Sequence, residues 1–314
     1  MRYIIRKALA MVATLLAISI LAFLAFQLLP GDPTTTILGI NATPERAAEL
    51  RETLGFNDSP LVRYGKWLGK FARGDMGISY SQNRPVAEQL AGKFQVTATL
   101  SAIAFAMVVC LSIPVGLFLA RHEGKAVDRV FQVLNQILMS APSVLIGLVF
   151  TYVFGLLLRV FTPGQFTHLA QDPVRFFSQM LFPALAIALP RCAMTVKLLR
   201  SSIASQMRQD YVRTAYSRGN SRMGALRRHV FRNAIIPVVT FLALTIADIV
   251  AGSIIVEQVF VIPGVGRLLL SAISARDFPV VQAIIMIVSV LVVSVNFLAD
   301  AVNQIIDPRI RLGA

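Results

Sequence analysis

Asp248 is the residue whose type and position most suggest chemistry, because its carboxyl group falls in the middle of the apolar run Ile235–Val256. A carboxylate inside a membrane is costly, and such residues usually line a path for ions or solutes. Asn135 and Asn296 are further candidate path residues, although polar side chains in apolar runs often only bond to neighbouring helices. Asp300 lies near the end of its own run and is expected to reach toward water.

A second group of polar residues forms the strongly basic stretch Ser202–Pro237, which lies between two apolar runs. Four of its residues recur at intervals of four and predict a helix with a narrow apolar face: Ile203, Met207, Tyr211 and Ala215. Gly219 is a suitable helix end, and Ser221 is a suitable N-cap for a second basic helix that reaches Asn233. Each feature alone is also what a C-capping glycine and a basic cytoplasmic loop would show.

The sequence contains no motif of an ATPase or a protease. Its Gly-Lys pairs all lack the upstream glycine of a phosphate-binding loop. The absence of His-Glu-x-x-His and Gly-x-Ser-x-Gly argues against an intramembrane protease. Cys110 and Cys192 are isolated in apolar stretches, so neither a disulfide framework nor a metal site is expected. We therefore expect a chain that is not an enzyme and has no cofactor of its own.

The elements that position these residues are membrane helices. Of the 314 residues, 56% are hydrophobic and only 15% are charged, whereas soluble domains are about 25% charged. The mean hydropathy is +0.68. Six runs are long enough to cross a hydrocarbon core of about 30 Å: Leu9–Leu29, Val96–Ala120, Val130–Leu158, Phe176–Leu199, Ile235–Val256 and Val280–Ile306. The sequence predicts an all-α integral membrane protein with six transmembrane helices and both termini on one side.

The distribution of charge predicts the orientation. The formal net charge is +14, and nearly all of it falls on the side that holds both termini, the Arg121–Arg129 loop and the Lys197–Arg232 segment. Because basic loops remain in the cytoplasm, both termini are predicted to be cytoplasmic. Topology thus accounts for the basic charge, and no nucleic-acid partner is expected.

The segment on the opposite side, residues 31–95, has nearly balanced charge and predicts a small external helical insertion. Thr43 is a suitable N-cap for a helix that ends near Gly55. A second helix is predicted over Pro60–Phe71 from its apolar stripe. The chain then has three parts: an N-terminal transmembrane helix (1–30), the insertion (31–95) and a core domain with five transmembrane helices (96–314).

A secondary transporter or channel that works alone is the main alternative from another class. It would need ionisable residues inside the helix bundle, which Asp248 and Asp300 could supply as a proton or cation relay. No internal repeat is evident, however, and inverted repeats are typical of many such transporters.

Short motifs recur in order along the chain. In the basic stretch they are Tyr211-Val212-Arg213-Thr214-Ala215, Arg218-Gly219, Arg228-His229, Arg232-Asn233-Ala234 and Ile236-Pro237-Val238-Val239. Before it they are Leu29-Pro30-Gly31-Asp32-Pro33, Leu54-Gly55-Phe56, Arg73-Gly74-Asp75-Met76-Gly77-Ile78-Ser79 and Arg84-Pro85-Val86. After it they are Glu257-Gln258-Val259-Phe260, Pro263-Gly264-Val265-Gly266-Arg267-Leu268-Leu269, Arg276-Asp277-Phe278-Pro279-Val280-Val281-Gln282 and Asp307-Pro308-Arg309-Ile310-Arg311. Together they resemble type I ABC importer permeases, in the branch that transports dipeptides, oligopeptides and nickel.

The wider family begins the corresponding loop with Glu-Ala-Ala and places a glycine four residues after the second alanine. Here Arg213 and Thr214 occupy the first two positions, and only Ala215 and Gly219 match. This departure resembles the peptide and nickel branch. The long insertion after the first helix resembles the first, B-type, of the two permeases in such systems.

The resemblance implies an importer built from a heterodimer of two permeases, two cytoplasmic ATPases that hold ATP and Mg²⁺, and an extracytoplasmic solute-binding protein. This chain would supply half of the translocation path in a bacterial inner membrane. The segment 202–234 would couple to one ATPase through six residues: Tyr211, Arg213, Thr214, Ala215, Arg218 and Gly219. Peptides are the expected substrate because they are carried by the largest group of such permeases, with nickel or a metal chelate as the alternative in the same architecture.

Overall fold

The computed structural model describes residues 2–27, 34, 38, 43–53 and 57–306. Within these ranges the secondary structure is helical, with one isolated antiparallel bridge between Ile78 and Pro85. The predicted helix end at Gly55 lies outside the described residues, as do the motifs at 29–33, 54–56 and 307–311.

The fourteen helices of the described ranges include both long membrane helices and short connecting ones. In chain order they are α1 (Arg2–Gln27), α2 (Pro44–Thr53), α3 (Pro60–Ala72), α4 (Val86–Leu90), α5 (Lys93–Arg121), α6 (Ala126–Ser140), α7 (Ser143–Phe150, continued by the π-helical segment Thr151–Leu157), α8 (Pro173–Gln206), α9 (Asp210–Ser217), α10 (Arg222–Ala225), α11 (Phe231–Ala234), α12 (Ile236–Val259), α13 (Val265–Ser274) and α14 (Phe278–Ile306). A π-helical segment, Leu226–Val230, joins α10 to α11.

Five long helices have the length and apolar composition of membrane spans: α1, α5, α8, α12 and α14. Each of them covers most of one predicted apolar run. The all-α, multi-pass character that the sequence predicts is therefore confirmed. The helix α13 was not predicted.

The third predicted run, Val130–Leu158, is not a single straight helix. The axes of α6 and α7 differ by 100°, and the two helices are separated by Ala141 and Pro142. Proline has no N–H and disfavours the helical conformation of the residue before it. Ala141 accordingly has extended dihedral angles (φ −82°, ψ 123°). The third predicted span is thus a broken pair of helices, and the described residues have six crossings only if α6 and α7 together form one of them.

The described residues divide into two compact units. The first comprises Met1–Val96 and Pro263–Ser294. Its core is formed by aliphatic side chains of α4, α13 and α14: Val86, Leu90, Val265, Ala272, Val280, Val281, Ala283 and Ile284. The predicted insertion thus contributes α4 to a packed core.

The helix α3 packs against α1 within the same unit. The Tyr64 and Ser19 hydroxyls form a hydrogen bond of 2.7 Å. The rings of Trp67 and Phe23 lie 6.0 Å apart between centroids. The apolar stripe predicted for this helix therefore has a partner. The N-cap predicted for α2 is also present, because the Thr43 hydroxyl accepts a bond from a backbone N–H two residues into the helix (3.4 Å).

The carboxylate of Asp277 stabilises the turn at residues 79–81, which lies almost two hundred residues earlier in the sequence. This carboxylate accepts hydrogen bonds from the hydroxyl groups of Ser79 and Ser81 and from the backbone N–H groups of Tyr80 and Ser81. The Asp277 residue is only 1% exposed. Burial raises the pKa of Tyr80 to about 12; Arg63 opposes this rise and Asp277 adds to it. Two of the motifs that carry the resemblance therefore meet here in one contact.

The second unit comprises Thr97–Ile262 and Val295–Ala314. Its central helix is α8, which packs against α6, α7 and α12. The helix continues through Pro183 and Pro190 without interruption. At Gly116, a Cβ atom would lie 2.8 Å from a methyl carbon of Leu199, so α5 and α8 approach closely because this residue has no side chain.

Candidate functional site

The basic stretch begins on α8, which is 34 residues long. At 1.5 Å per residue this helix measures about 50 Å, which exceeds a hydrocarbon core of about 30 Å. The helix is therefore longer than the hydrocarbon core is thick, and its polar and basic last turns are the part expected to project beyond the membrane. The helix does not continue to Ala215 as predicted, because a turn at Met207–Gln209 separates it from α9. Ile203 and Tyr211 consequently belong to different helices.

The helix α9 has one side buried in the chain and one side exposed. Val212 is fully buried and Ala215 is 7% exposed, and α9 packs against α10. Arg213, Thr214 and Ser217 are exposed on the opposite side. Ala215 therefore contacts the chain itself. The side chains of Arg213 and Thr214 contact Asp210 of the same helix, at 3.4 and 3.2 Å, and they are exposed and accessible to another molecule.

Two tyrosines border the exposed side of α9. Tyr211 is 36% exposed, and its hydroxyl donates a 2.8 Å hydrogen bond to the side chain of Gln206 on α8. Tyr216 is 39% exposed. Tyr216 was not predicted from the sequence as a site residue.

Gly219 ends α9 with a left-handed backbone conformation (φ +80°). Its N–H donates to the carbonyl of Tyr216 at 2.9 Å, and the N–H of Asn220 donates to the carbonyl of Ala215 at 3.2 Å. The side-chain amide of Asn220 also donates to the Ala215 carbonyl, at 3.0 Å. This is a Schellman motif, with the glycine at the position that requires positive φ. Arg218, immediately before it, is exposed.

The second basic helix begins as predicted, because the Ser221 hydroxyl accepts a bond from the N–H of Gly224 (3.2 Å). Its apolar residues, Leu226 and Val230, are buried. Its basic residues point outward, and those exposed are Arg222, Arg227, Arg228, His229 and Arg232. The basic segment therefore folds back on the unit and presents its positive charge to the surroundings.

An ion pair fixes the projecting part of α8. Two nitrogens of the Arg200 guanidinium each lie 2.7 Å from one oxygen of Asp128 at the start of α6. Asp128 is 1% exposed and also accepts a bond from the N–H of Gly124 (3.0 Å). A weaker contact of 3.7 Å joins Arg222 to Glu123. Acidic residues of the 121–129 segment thus bind arginines of the 197–232 segment and hold the two basic segments together.

Asp248 lies near the middle of α12, as predicted, and its partner is Arg191 in the middle of α8. A guanidinium nitrogen and a carboxylate oxygen are 3.3 Å apart. The side chain of Asp248 is 55% exposed and that of Arg191 is 32% exposed. Arg191 was not predicted from the sequence. The rule that a charge inside a membrane needs a partner would have pointed to it.

The other two candidate path residues differ in position. Asn135 on α6 donates a 2.6 Å hydrogen bond to the backbone carbonyl of Ala193 on α8. This contact favours the alternative that Asn135 joins two helices. Asn296 is half-buried on α14. Neither residue lies in contact with the Arg191–Asp248 pair among the hydrogen bonds and ion pairs of the described residues.

Glu257 is a buried acid that the sequence indicated only as part of a motif. It is fully buried near the end of α12 and accepts a 2.5 Å hydrogen bond from the Thr97 hydroxyl of α5. This bond joins two of the long helices. Over the described ranges, no group of three or more metal-ligating side chains is close enough to hold a metal ion.

Comparison with known proteins places these features in a family. The family described as the binding-protein-dependent transport system inner membrane component matches residues 112–312. Its N-terminal companion, described as binding-protein-dependent transport system membrane component, N-terminal, matches residues 1–101.

Similar proteins match over almost their whole length. The probable peptide ABC transporter permease protein y4tP of Sinorhizobium fredii is 32% identical, over 98% of this chain and 99% of its own. A putative peptide transport system permease protein of Brucella abortus is 33% identical over 98% of both chains. The oligopeptide transport system permease protein AppB of Bacillus subtilis is also 33% identical over 98% of both. The resemblance predicted from the motifs is confirmed, and the chain belongs to the inner membrane components of binding-protein-dependent transport systems, as a non-catalytic permease subunit of a type I ABC importer.

Proposed function

We propose that this chain forms half of the translocation path of a peptide importer and is driven by a cytoplasmic ATPase that binds the exposed side of α9. The observation that supports the peptide substrate most strongly is the match to peptide permeases over nearly the full length of both chains. Nickel is not named among these relatives, so the alternative with a metal substrate is not favoured.

The proposed assembly contains a second permease subunit as heterodimer partner, two ABC ATPases and an extracytoplasmic solute-binding protein. ATP and Mg²⁺ bind to the ATPases. The permease lies in a bacterial inner membrane with both termini in the cytoplasm, and its parts are the helix at 1–30, the insertion at 31–95 and the core domain at 96–314. The basic segment supports this orientation, because exposed arginines are retained on the cytoplasmic side.

The coupling surface consists of the exposed side chains of α9. Arg213 and Thr214 lie at its centre, and Tyr211 and Arg218 lie at its border. Ala215 and Gly219 act indirectly: Ala215 lets α9 pack closely on the chain, and Gly219 sets the direction in which the chain leaves the helix. Because α9 is tied to α8 through the Tyr211–Gln206 bond, a displacement of α9 is transmitted to a membrane-spanning helix.

A bulky side chain at Thr214 tests this surface. Thr214→Trp should block ATPase docking and leave the packing of the chain intact, since Thr214 is exposed. Ala215→Trp is a poorer test, because it would also disturb the chain's own packing. Gln82→Trp is the matched control, as it adds the same side chain at an exposed position on the predicted external side.

The assay is dipeptide uptake and ATP hydrolysis by the complete importer in proteoliposomes. We expect Thr214→Trp to abolish both uptake and the stimulation of ATPase activity by peptide-loaded binding protein, while Gln82→Trp retains them. Full coupling in Thr214→Trp would refute the assignment of the coupling surface.

The orientation has its own test. After removal of Cys110 and Cys192, a cysteine at Gln82 should react with an impermeant thiol reagent in intact cells. A cysteine at Ser217 should react only after the membrane is opened. Reaction of both in intact cells would contradict the proposed topology.

A further inference from the structure

The ion pair between Arg191 and Asp248 combines two features: both residues lie in the middle of long apolar helices, and both side chains are partly exposed. Both residues lie near the middle of helices that qualify as membrane spans, α8 and α12. Charged side chains at this depth are costly in hydrocarbon and face the interior of a bundle or a water-filled cavity. The surface that carries this pair therefore faces a partner subunit or the translocation path, and not lipid.

The exposed side of α12 extends from this pair along the helix. Exposed residues recur at spacings of three and four, which marks one continuous face: Leu244, Asp248, Ala251, Ile255 and Gln258. Asp248 is the only ionisable residue of this face. A carboxylate in an otherwise uncharged stripe can recognise charge without competition from neighbouring acids.

The chain contains a second Arg–Asp pair on α8 that serves as an internal comparison. In the Arg200–Asp128 pair both guanidinium contacts are 2.7 Å long, and the acid is 1% exposed. Such a bidentate, enclosed pair has a structural role. In contrast, Arg191 and Asp248 share a single 3.3 Å contact and keep 32% and 55% of their side chains exposed. Most of their hydrogen-bonding capacity is therefore unused among the described residues.

We propose that Arg191 and Asp248 form a subsite for small zwitterions, in which Asp248 binds the ammonium group and Arg191 binds the carboxylate of the same molecule. This inference rests on the proposed function and specifies the substrate class: short peptides with free termini. A zwitterion replaces one ion pair by two and brings no net charge into the membrane. A ligand with one charge would leave either Arg191 or Asp248 without a partner.

The reach of the two side chains limits the length of the ligand. An extended chain spans at most about 3.3–3.6 Å per residue, so the termini of a dipeptide lie within about 7 Å of each other. Separation of the single 3.3 Å contact between the two side chains would be required to place such a molecule between them. The two charged ends of a longer peptide in an extended conformation would be too far apart to meet both.

The test uses the complete importer in nanodiscs without the solute-binding protein, because that protein also selects among peptides. Binding of radiolabelled alanyl-alanine is measured by equilibrium dialysis. We expect unlabelled alanyl-alanine to displace the label, and N-acetyl-alanyl-alanine amide, which has no charged terminus, to fail to do so. Equal displacement by the blocked peptide, or no binding at all, would overturn the proposal.

Variants then locate the site. Asp248→Asn and Arg191→Gln should each raise the half-saturating concentration of alanyl-alanine at least tenfold. Lys197→Gln removes a positive charge from an exposed position of the same helix and should leave binding unchanged. Binding equal to wild type in both variants would also overturn the proposal. The competition experiment on the wild type remains decisive if a variant fails to assemble.

A parallel uptake measurement separates this inference from the proposed function. Suppose that the wild-type importer takes up dipeptide with ATP and binding protein, but that alanyl-alanine binding is independent of Arg191, Asp248 and the charged peptide termini. Only the subsite is then refuted. If the wild type takes up no peptide, the proposed substrate itself is wrong.

Discussion

Substitution of Gly219 should weaken the end of α9 by an amount that depends only on backbone preference. The residue has φ +80°, and a Cβ atom there would meet no heavy atom within 4 Å. The left-handed conformation costs an L-residue about 1–2 kcal/mol, and Asn less because its side chain is tolerated there. We therefore expect the order Gly, Asn, Ala, Val from most to least stable, with Val most affected because it is β-branched.

Hydrogen exchange measures this effect at the Schellman motif itself. The amide protons of Gly219 and Asn220 are bonded to carbonyls of α9, so they are protected only while the helix end is intact. A loss of about 1–2 kcal/mol corresponds to about a 5- to 30-fold faster exchange in the Ala and Val variants. ATP-driven uptake should fall in the same order. Equal protection and equal uptake in the Asn and Val variants would show that the conformation of Gly219 does not matter for α9.

Three further variants test contacts within the units. Asp128→Asn leaves Arg200 without its bidentate partner and should lower the thermal stability of the purified protein. The loss should be less than the roughly 3–5 kcal/mol typical of fully buried pairs, because Arg200 is 22% exposed. An unchanged melting temperature would contradict the anchoring role. Asp277→Asn should speed proteolysis of the turn that its carboxylate holds, and equal cleavage rates would refute that role. Asn135→Leu should cost about 1 kcal/mol through loss of the bond to Ala193, with uptake by the assembled importer retained; a loss of transport at normal stability would instead favour a path role.

Local rules predicted much of the basic segment. The N-cap at Ser221 and the helix end at Gly219 follow from side-chain and backbone chemistry that acts within a few residues. The same rules predicted the start of α2 at Thr43. The interval of four residues from Ile203 to Ala215 was misleading, because it continued across a turn that no glycine or proline marks.

The break at Pro142 and the partner of Asp248 show two different limits. Pro142 lies in a strongly apolar run, and hydropathy alone does not distinguish a bent pair of helices from one span. Arg191 is 57 residues from Asp248 in sequence, and the pairing depends on how α8 and α12 pack. Neither the spacing of apolar residues nor the composition of a segment carries information on such a contact. The same holds for Asp277 and the turn at Ser79.

Transport by the purified assembly tests the central claim most directly. Labelled dipeptide uptake is measured in proteoliposomes that contain this chain, the second permease and the two ATPases, with the solute-binding protein outside. We predict uptake that requires ATP, both ATPases and the binding protein, and none by this chain alone under an ion gradient. Uptake by this chain alone, driven by a proton or sodium gradient, would contradict the account.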